Sequence, residues 1–303
     1  MRTVIAIFNP EHDLCLANGN AHFMPPQSAL QRATSDCDCM RAMYPESIAV
    51  CAANAGTAYH ALSNKLDVCF IPWGWNAALK WQLLQQGIPD TLLPSDEQIN
   101  IIRELSHRSV ALPLKPDTHQ AVSLSDIESL LKITPRIVLK APWSGAGRGL
   151  RWVDNRLSEH DIKWCRKVIS DQRCVMVEPR RTVEVDFAME FWCDATQGCL
   201  FIGYSLFGTR NGVYQSNLSM NDDDIERHLS QWVSIDSLLY AKNNTIQWIN
   251  QHITPYYKGP LGVDMFIYRD TDSYMLNSCV EINMRHTMGM VAHGSLLNLI
   301  NNN

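Results

Sequence analysis

Three segments carry side chains whose types and spacing suit chemistry. In 137–150 (IVLKAPWSGAGRGL) a β-type run reaches Lys140. Ser144, Gly145, Gly147 and Gly149 follow, and a second β-type run starts at Leu150. Glycines let backbone N–H groups approach an anion closely, and a run of them can form a nest for phosphate, with a lysine nearby as point charge. An ordinary hairpin with a loose turn fits the same pattern. Two commoner phosphate motifs are excluded. No G-K-[ST] closes the segment, and G-x-G-x-G leads into a strand where a dinucleotide fingerprint would lead into a helix.

The second segment lies near the C-terminus. Asp264 sits in the middle of the apolar run 261–268 (LGVDMFIY), and Glu281, Asn283 and Arg285 alternate along 280–285 (VEINMR). In a strand, residues two apart share a face, so these three project together. An unpaired buried carboxylate is costly, so the group asks for a partner. Divalent Mg²⁺ held by oxygen ligands is one answer and a salt-bridge network is the other. The third segment, 174–186 (CVMVEPRRTVEVD), ends one β-type run at Glu178 and Pro179 and alternates Glu184 with Asp186 on the next.

The elements that must position these residues follow from hydrophobic pattern. Short apolar runs at 3–8, 46–51 and 67–71 are each followed by a loop or helix-like stretch, which argues a small parallel α/β unit over about 1–105. A helix over 76–86 closes at Gly87, and Ser95–Asp96 cap another. Segment 111–120, with two prolines and no period, reads as a boundary. Beyond it come longer β-type runs at 136–141, 174–178, 183–192, 199–207, 261–268 and 275–282, with helical stretches at about 158–169, 223–252 and 289–300. That is an α+β texture with a largely antiparallel sheet.

Composition narrows the class. The 303 residues carry 26 Lys+Arg against 31 Asp+Glu, are 46% hydrophobic and only 19% charged. Disorder as the main state is excluded, and a polyanion-binding role is disfavoured, so no nucleic-acid partner is expected. No apolar run reaches the roughly 18 residues of a membrane span, and the N-terminus lacks the length and cleavage site of a signal peptide. The ten cysteines include no C-x-x-C, and the pair Cys37/Cys39 has no second half with zinc spacing. Reduced thiols and a cytoplasmic location are the expectation.

These segments, in this order over about 105–298, resemble the ATP-grasp superfamily of carboxylate–amine or carboxylate–thiol ligases. The resemblance implies an N-terminal Rossmann-like parallel α/β domain (1–105) followed by an ATP-grasp domain (106–303), whose α+β subdomains, about 106–178 and 179–303, clamp the nucleotide. It implies ATP and two Mg²⁺ ions as cofactors, with Mn²⁺ as a substitute. Lys140 resembles the lysine that contacts the phosphates, and Ser144 to Gly149 the phosphate flap. Glu178 resembles the start of the adenine hinge, with the Pro179 carbonyl and the Arg181 N–H facing the base and Glu184 or Asp186 near the ribose. Arg108 stands for an earlier basic residue. Asp264 and Glu281 resemble the metal carboxylates and Asn283 an auxiliary ligand, although Asp264 stands where Glu is frequent. Arg285 resembles the residue that stabilises the transferred phosphoryl group, and with Lys140 makes up the expected catalytic pair.

The activity so implied is ADP-forming ligation of a small carboxylic acid to an amine or thiol through an acyl phosphate. A phosphotransferase on the same fold, or a nucleotide-binding module without turnover, remains open. Small-molecule acid and amine partners are expected, no membrane, and a homodimer is allowed. For substrate, the candidates are Glu11, His12 and Asp13 at the end of the first strand, Trp75, Arg210 and His286. Each also fits an ordinary loop, cap or packing role.

Overall fold

Apolar runs buried on both faces build the first sheet. In the computed structural model the described residues are 3–63, 67–145, 149–210, 213–218 and 220–296, the side chains of 209–210 and 213–217 excepted. The chain opens with β1 (Thr3–Phe8), α1 (His12–Asn18), α2 (Gln27–Ser35), α3 (Met40–Met43), β2 (Ile48–Cys51), α4 (Ala55–His60), β3 (Val68–Pro72), α5 (Ala77–Gln85) and α6 (Asp96–Leu105). The strands pair in parallel in the order β2-β1-β3. Ile5 and Ile7 pack with Leu79 and Leu83 of α5, while Ala6 and Phe8 face Met40, Met43 and Tyr44. Coverage of both faces is the usual requirement of a parallel sheet. As the sequence indicates, Ser95 caps α6 in a full capping box with Gln98, and Gly87 follows α5 in the left-handed region (φ 77°).

The second sheet is antiparallel, in the order β4 (His119–Ala121), β7 (Val175–Pro179), β5 (Arg136–Lys140) and β6 (Leu150–Asp154). Helices α7 (Leu124–Ile133) and α8 (Glu159–Gln172) bury Ile127, Leu131, Cys165 and Val168 against it. The third sheet is also antiparallel: β10 (Val213–Leu218), β9 (Gly198–Arg210), β8 (Thr182–Asp194), β11 (Gly259–Asp270) and β12 (Ser273–Asn283). In the middle of β8 and β11 alternate residues share a face. Phe187, Met189, Phe191, Val263, Met265 and Ile267 enter a core with α9 (Asp222–Leu229) and α10 (Ile235–His252). Glu190, Asp264, Glu281 and Asn283 take the other face, because Gly262 pairs with both Glu190 and Asn283, and Asp264 with Glu281. The last helix, α11 (Met288–His293), returns to the first sheet, where Met290 packs with Phe8 and Tyr44.

Two expectations are revised. The helical stretch at 223–252 is two helices, because Ser234 caps a new one by accepting from the Ser237 N–H. The loop expected after the first strand is short, because α1 already starts at His12. Segment 111–120, read as a boundary, holds the end of a 3-10 turn (Arg108–Leu114, which includes Pro113) and the start of β4, which pairs with β7. No described helix is long and apolar enough to cross a membrane.

Candidate active site

Lys140 ends β5 and Glu178 lies one residue from the end of β7, opposite Val138 and so two residues off register from Lys140, which lets their side chains meet diagonally on one face. Lys140 Nζ is 2.5 Å from one Glu178 oxygen, and Lys115 Nζ is 2.5 Å from the other. Lys115 also donates to the Val280 carbonyl of β12 at 2.7 Å. Burial pushes the Glu178 carboxyl up, but the two ammonium groups outweigh it and hold it at about 2. Burial lowers the Lys140 ammonium pKa in spite of Glu178. Two buried lysines sharing one carboxylate leave an excess positive charge, which a polyphosphate would neutralise. Lys115 was not legible in the sequence. It stands between two prolines in the segment that reads as a boundary, and only the pairing of β4 with β7 brings it to Glu178.

The acidic face of the third sheet comes next. Asp264 and Glu281 are direct cross-strand partners. Burial, then Glu281 and Glu190, push the Asp264 carboxyl up to about 7. Asn283 Oδ1 accepts from Arg285 Nη2 at 3.0 Å. Arg285 also reaches across the molecule, with Nε and Nη2 each 3.0 Å from an oxygen of Asp13 in α1. This bidentate geometry fixes the guanidinium plane. Burial acts to raise the Asp13 pKa, yet Arg285 and then His12 bring it below the usual carboxylate range.

Arg108 joins this face to the glycine segment. Its Nη2 lies 2.5 Å from Glu281, Nη1 donates to Ser144 Oγ at 2.6 Å and to the Ala141 carbonyl, and Nη2 reaches the Ser144 carbonyl at 3.2 Å. Gly145 has no room for a side chain, since a Cβ would collide with Asp13. Gly149 closes the hairpin, its carbonyl accepting from the Ala141 N–H at 2.9 Å. Gly147 lies outside the described residues, as does the side chain of Arg210.

The other candidates are placed as follows. Pro179 ends β7 and pairs with Ile137, and just beyond it Arg181 bonds Asp117 at 2.6 Å and stacks over Tyr268. Glu184 is exposed and Asp186 half-buried on the acidic face of β8. Glu11 is buried with one carboxylate oxygen unpartnered, and burial pushes its carboxyl to about 7. His12 is buried, and Asn76 Nδ2 lies 3.2 Å from its Nδ1. The Asn76 oxygen is engaged as the cap of α5, so its amide group donates and His12 keeps its proton on Nε2, which has no partner. A cleft lined by His12, Asp13, Trp143, Ser144, Asn283 and Met284 opens here.

Two substrate candidates take packing roles instead. Trp75 is half-buried between two hydrophobic cores. The His286 ring has both nitrogens occupied: Nδ1 lies 3.0 Å from the Pro72 carbonyl and Nε2 lies 2.7 Å from the Tyr44 hydroxyl. It ties the segment after β12 to β3 and α3, leaving no ring nitrogen for a substrate. One acidic residue escaped the sequence reading. Glu190 is fully buried on the acidic face, accepts from Ser205 Oγ at 2.9 Å, and burial raises its pKa. Following the alternation of Glu184 and Asp186 along β8 would have reached it.

Among the described residues no three His, Cys, Asp or Glu side chains are grouped to hold a metal. The all-oxygen set Asp264, Glu281 and Asn283 nevertheless fits Mg²⁺, which commonly takes one or two carboxylates and completes its shell with water and substrate phosphates. Burial first, then Glu281 and Glu190, holds the Asp264 carboxyl near 7, and a divalent ion there would favour its charged form.

No family model matches the chain, and no curated protein matches it. Among solved structures it is similar to N5-carboxyaminoimidazole synthetase from Staphylococcus aureus complexed with ADP, at 17% identity over 94% of this chain and 71% of that one (TM-score 0.51). It is also similar to the biotin carboxylase–β,γ-ATP complex from Campylobacter jejuni, at 13% identity over 97% and 67% (TM-score 0.54). A third is D-cycloserine synthetase DcsG, at 10% identity over 96% and 94% (TM-score 0.51). Likeness at such identities speaks to architecture, and the chain has the ATP-grasp fold that its glycine hairpin and E-x-N-x-R strand resemble.

Proposed function

We propose that the protein is an ATP- and Mg²⁺-dependent ligase joining a small carboxylic acid to an amine or thiol through an acyl phosphate, with release of ADP and phosphate. The observation that carries this reading is the cross-strand pair Asp264–Glu281, with Asn283 and Arg285 beside it and the Lys115–Glu178–Lys140 cluster joined to the same strand at Val280. The neighbours named as a synthetase and a carboxylase, described with ADP and β,γ-ATP, support it.

In this reading Lys140 and Lys115 hold the nucleotide phosphates and the hairpin around Ser144 and Gly145 covers them. The strand end at Glu178 and Pro179 offers backbone groups to the adenine. Mg²⁺, with Mn²⁺ as a substitute, would be held by Asp264, Glu281 and Asn283 and would neutralise phosphate charge. The acid enters by the cleft at His12 and Asn283. Its carboxylate oxygen bonds to the γ-phosphorus as the bond to ADP breaks. The amine or thiol then bonds to the acyl carbon, phosphate leaves, and the incoming proton passes to solvent. Arg285, aligned by Asp13, stabilises charge on the transferred group. Positioning and electrostatics supply the catalysis, as phosphoryl transfer generally requires.

The test is calorimetric titration of ATP with and without Mg²⁺, followed by ADP release and hydroxamate formation across a panel of amino acids and small dicarboxylic acids. Expected are metal-dependent ATP binding, lost in Glu281→Gln and Asp264→Asn, and hydroxamate with at least one acid. ATP binding that ignores the metal and both variants would sink the reading. Turnover giving a phosphorylated hydroxyl product and no hydroxamate would replace it with phosphotransfer.

A further inference from the structure

Arg108 touches two groups that the proposed reaction needs separately. Its Nη2 is 2.5 Å from Glu281, a carboxylate assigned to the metal. The same guanidinium donates to Ser144 Oγ at 2.6 Å and to the Ser144 and Ala141 carbonyls, at the root of the glycine hairpin. Its backbone is pinned as well, since the Arg108 N–H donates to the Pro142 carbonyl at 3.2 Å. The side chain is buried and its Nε has no partner. An arginine stays charged at any working pH, and a buried charge needs an opposite charge beside it. Of the partners just named, only Glu281 carries one. Ser144 and Ala141 contribute neutral oxygens.

We propose that Arg108 is an internal cation that occupies Glu281 until the metal–nucleotide complex arrives, then exchanges that carboxylate for the nucleotide's phosphates. The inference rests on the metal and nucleotide site assigned above and adds a coupling that the assignment alone lacks. A divalent ion that took Glu281 alone would leave Arg108 bonded to neutral oxygens only, the nearby Asp13 carboxylate being already paired with Arg285. A phosphate that arrived alone would meet an arginine already neutralised. Arriving together, the ion takes the carboxylate and the phosphate takes the arginine, and both buried charges stay paired. Arg108 needs little movement for this, because it already contacts the hairpin expected to cover the phosphates. Metal and nucleotide should therefore bind cooperatively, through Arg108 as well as through direct coordination.

The sign of one effect separates this from a plain structural or phosphate-binding role. Mn²⁺ binding to the nucleotide-free protein is read by electron paramagnetic resonance, and ATP binding at saturating Mn²⁺ by calorimetry. Replacing Arg108 by methionine, R108M, should tighten Mn²⁺ binding without nucleotide by about tenfold, the scale of one charge-assisted bond. It should weaken ATP binding in the presence of Mn²⁺ by a similar factor. R108K, which keeps a charge but loses the fork, should bind Mn²⁺ alone close to the wild type. Glu281→Gln should abolish the gain in R108M, showing that the ion sits at that carboxylate. Unchanged or weaker Mn²⁺ binding in folded R108M overturns the exchange. Should R108M fail to fold, the wild-type structure with Mn²⁺ and a non-hydrolysable ATP analogue decides. Arg108 must then have left Glu281 for the phosphates, and an intact Arg108–Glu281 pair overturns the proposal. Failure of the ligase reading looks different: wild-type protein binds no metal–ATP at all, while the Mn²⁺ comparison without nucleotide still reads the Arg108–Glu281 pair.

Discussion

Glu178 shows how far one residue's environment sets its chemistry. Its carboxylate is enclosed by Lys115 and Lys140, and its pKa drops from 4.5 to about 2 although burial alone would raise it. Removing one member of such a buried group leaves uncompensated charge. Glu178→Gln should cost about 3–5 kcal/mol in urea unfolding at pH 7. The pH dependence follows from the depressed folded value. The contribution is complete above 4.5, the unfolded value, and is lost as pH falls from there towards about 2. Urea unfolding at pH 7, 4 and 3 should show this acid loss in the wild type and a flatter profile in Glu178→Gln. His286 has the opposite charge type and the same sign. Burial lowers its pKa from 6.5 to about 4, so it stays neutral and contributes less as pH falls through that window. With Nδ1–H donating to the Pro72 carbonyl, Nε2 accepts from the Tyr44 hydroxyl. Tyr44→Phe leaves that acceptor buried and should cost about 1–3 kcal/mol, measurable by the same unfolding assay.

At the scale of elements, α11 is fitted against the acidic face of the third sheet by the absence of a side chain. A Cβ at Gly289 would collide with both Glu190 and Ser205. Gly289→Ala should therefore destabilise the protein by about 1–3 kcal/mol through overpacking. Its effect should be non-additive with Glu190→Ala, which clears the colliding carboxylate, in a double-mutant cycle of unfolding free energies. Additivity would mean that α11 accommodates the methyl group by shifting as a unit. The strands themselves were readable because their apolar residues alternate or run continuously. The break between α9 and α10 was not read, because the apolar pattern continues on both sides of Ser230 to Ser234 and only the cap at Ser234 interrupts it.

Across the whole molecule, the segment after β12 is fastened to the N-terminal sheet at several points. The His286 N–H donates to the Trp73 carbonyl at 2.9 Å, the Leu296 N–H to the Met43 carbonyl at 2.8 Å, and Arg285 pairs with Asp13. Within the N-terminal unit, Arg103 Nε of α6 donates to the Leu16 carbonyl of α1 at 2.9 Å. Helix α1, through Asp13, thus aligns the arginine proposed to face the transferred phosphoryl group. Asp13→Ala should slow ADP release by roughly 10- to 100-fold with a smaller change in the KM for ATP, the pattern of lost alignment. Steady-state kinetics check this, and a change confined to KM would assign Asp13 to nucleotide binding instead.

The sequence alone determined whatever depends on neighbours within a strand or turn. Glu281, Asn283 and Arg285 share a face because the side-chain period of a strand is two, and Lys140 followed by glycines marks a hairpin whatever surrounds it. Tertiary structure decided which distant charges meet. Asp13 and Arg285 pair across 272 positions, Lys115 joins Glu178 from a segment without period, and Arg108 finds Glu281 only once β12 lies beside the 3-10 turn. Local periodicity says which way a side chain points. Which opposite charge it finds there depends on how the sheets pack.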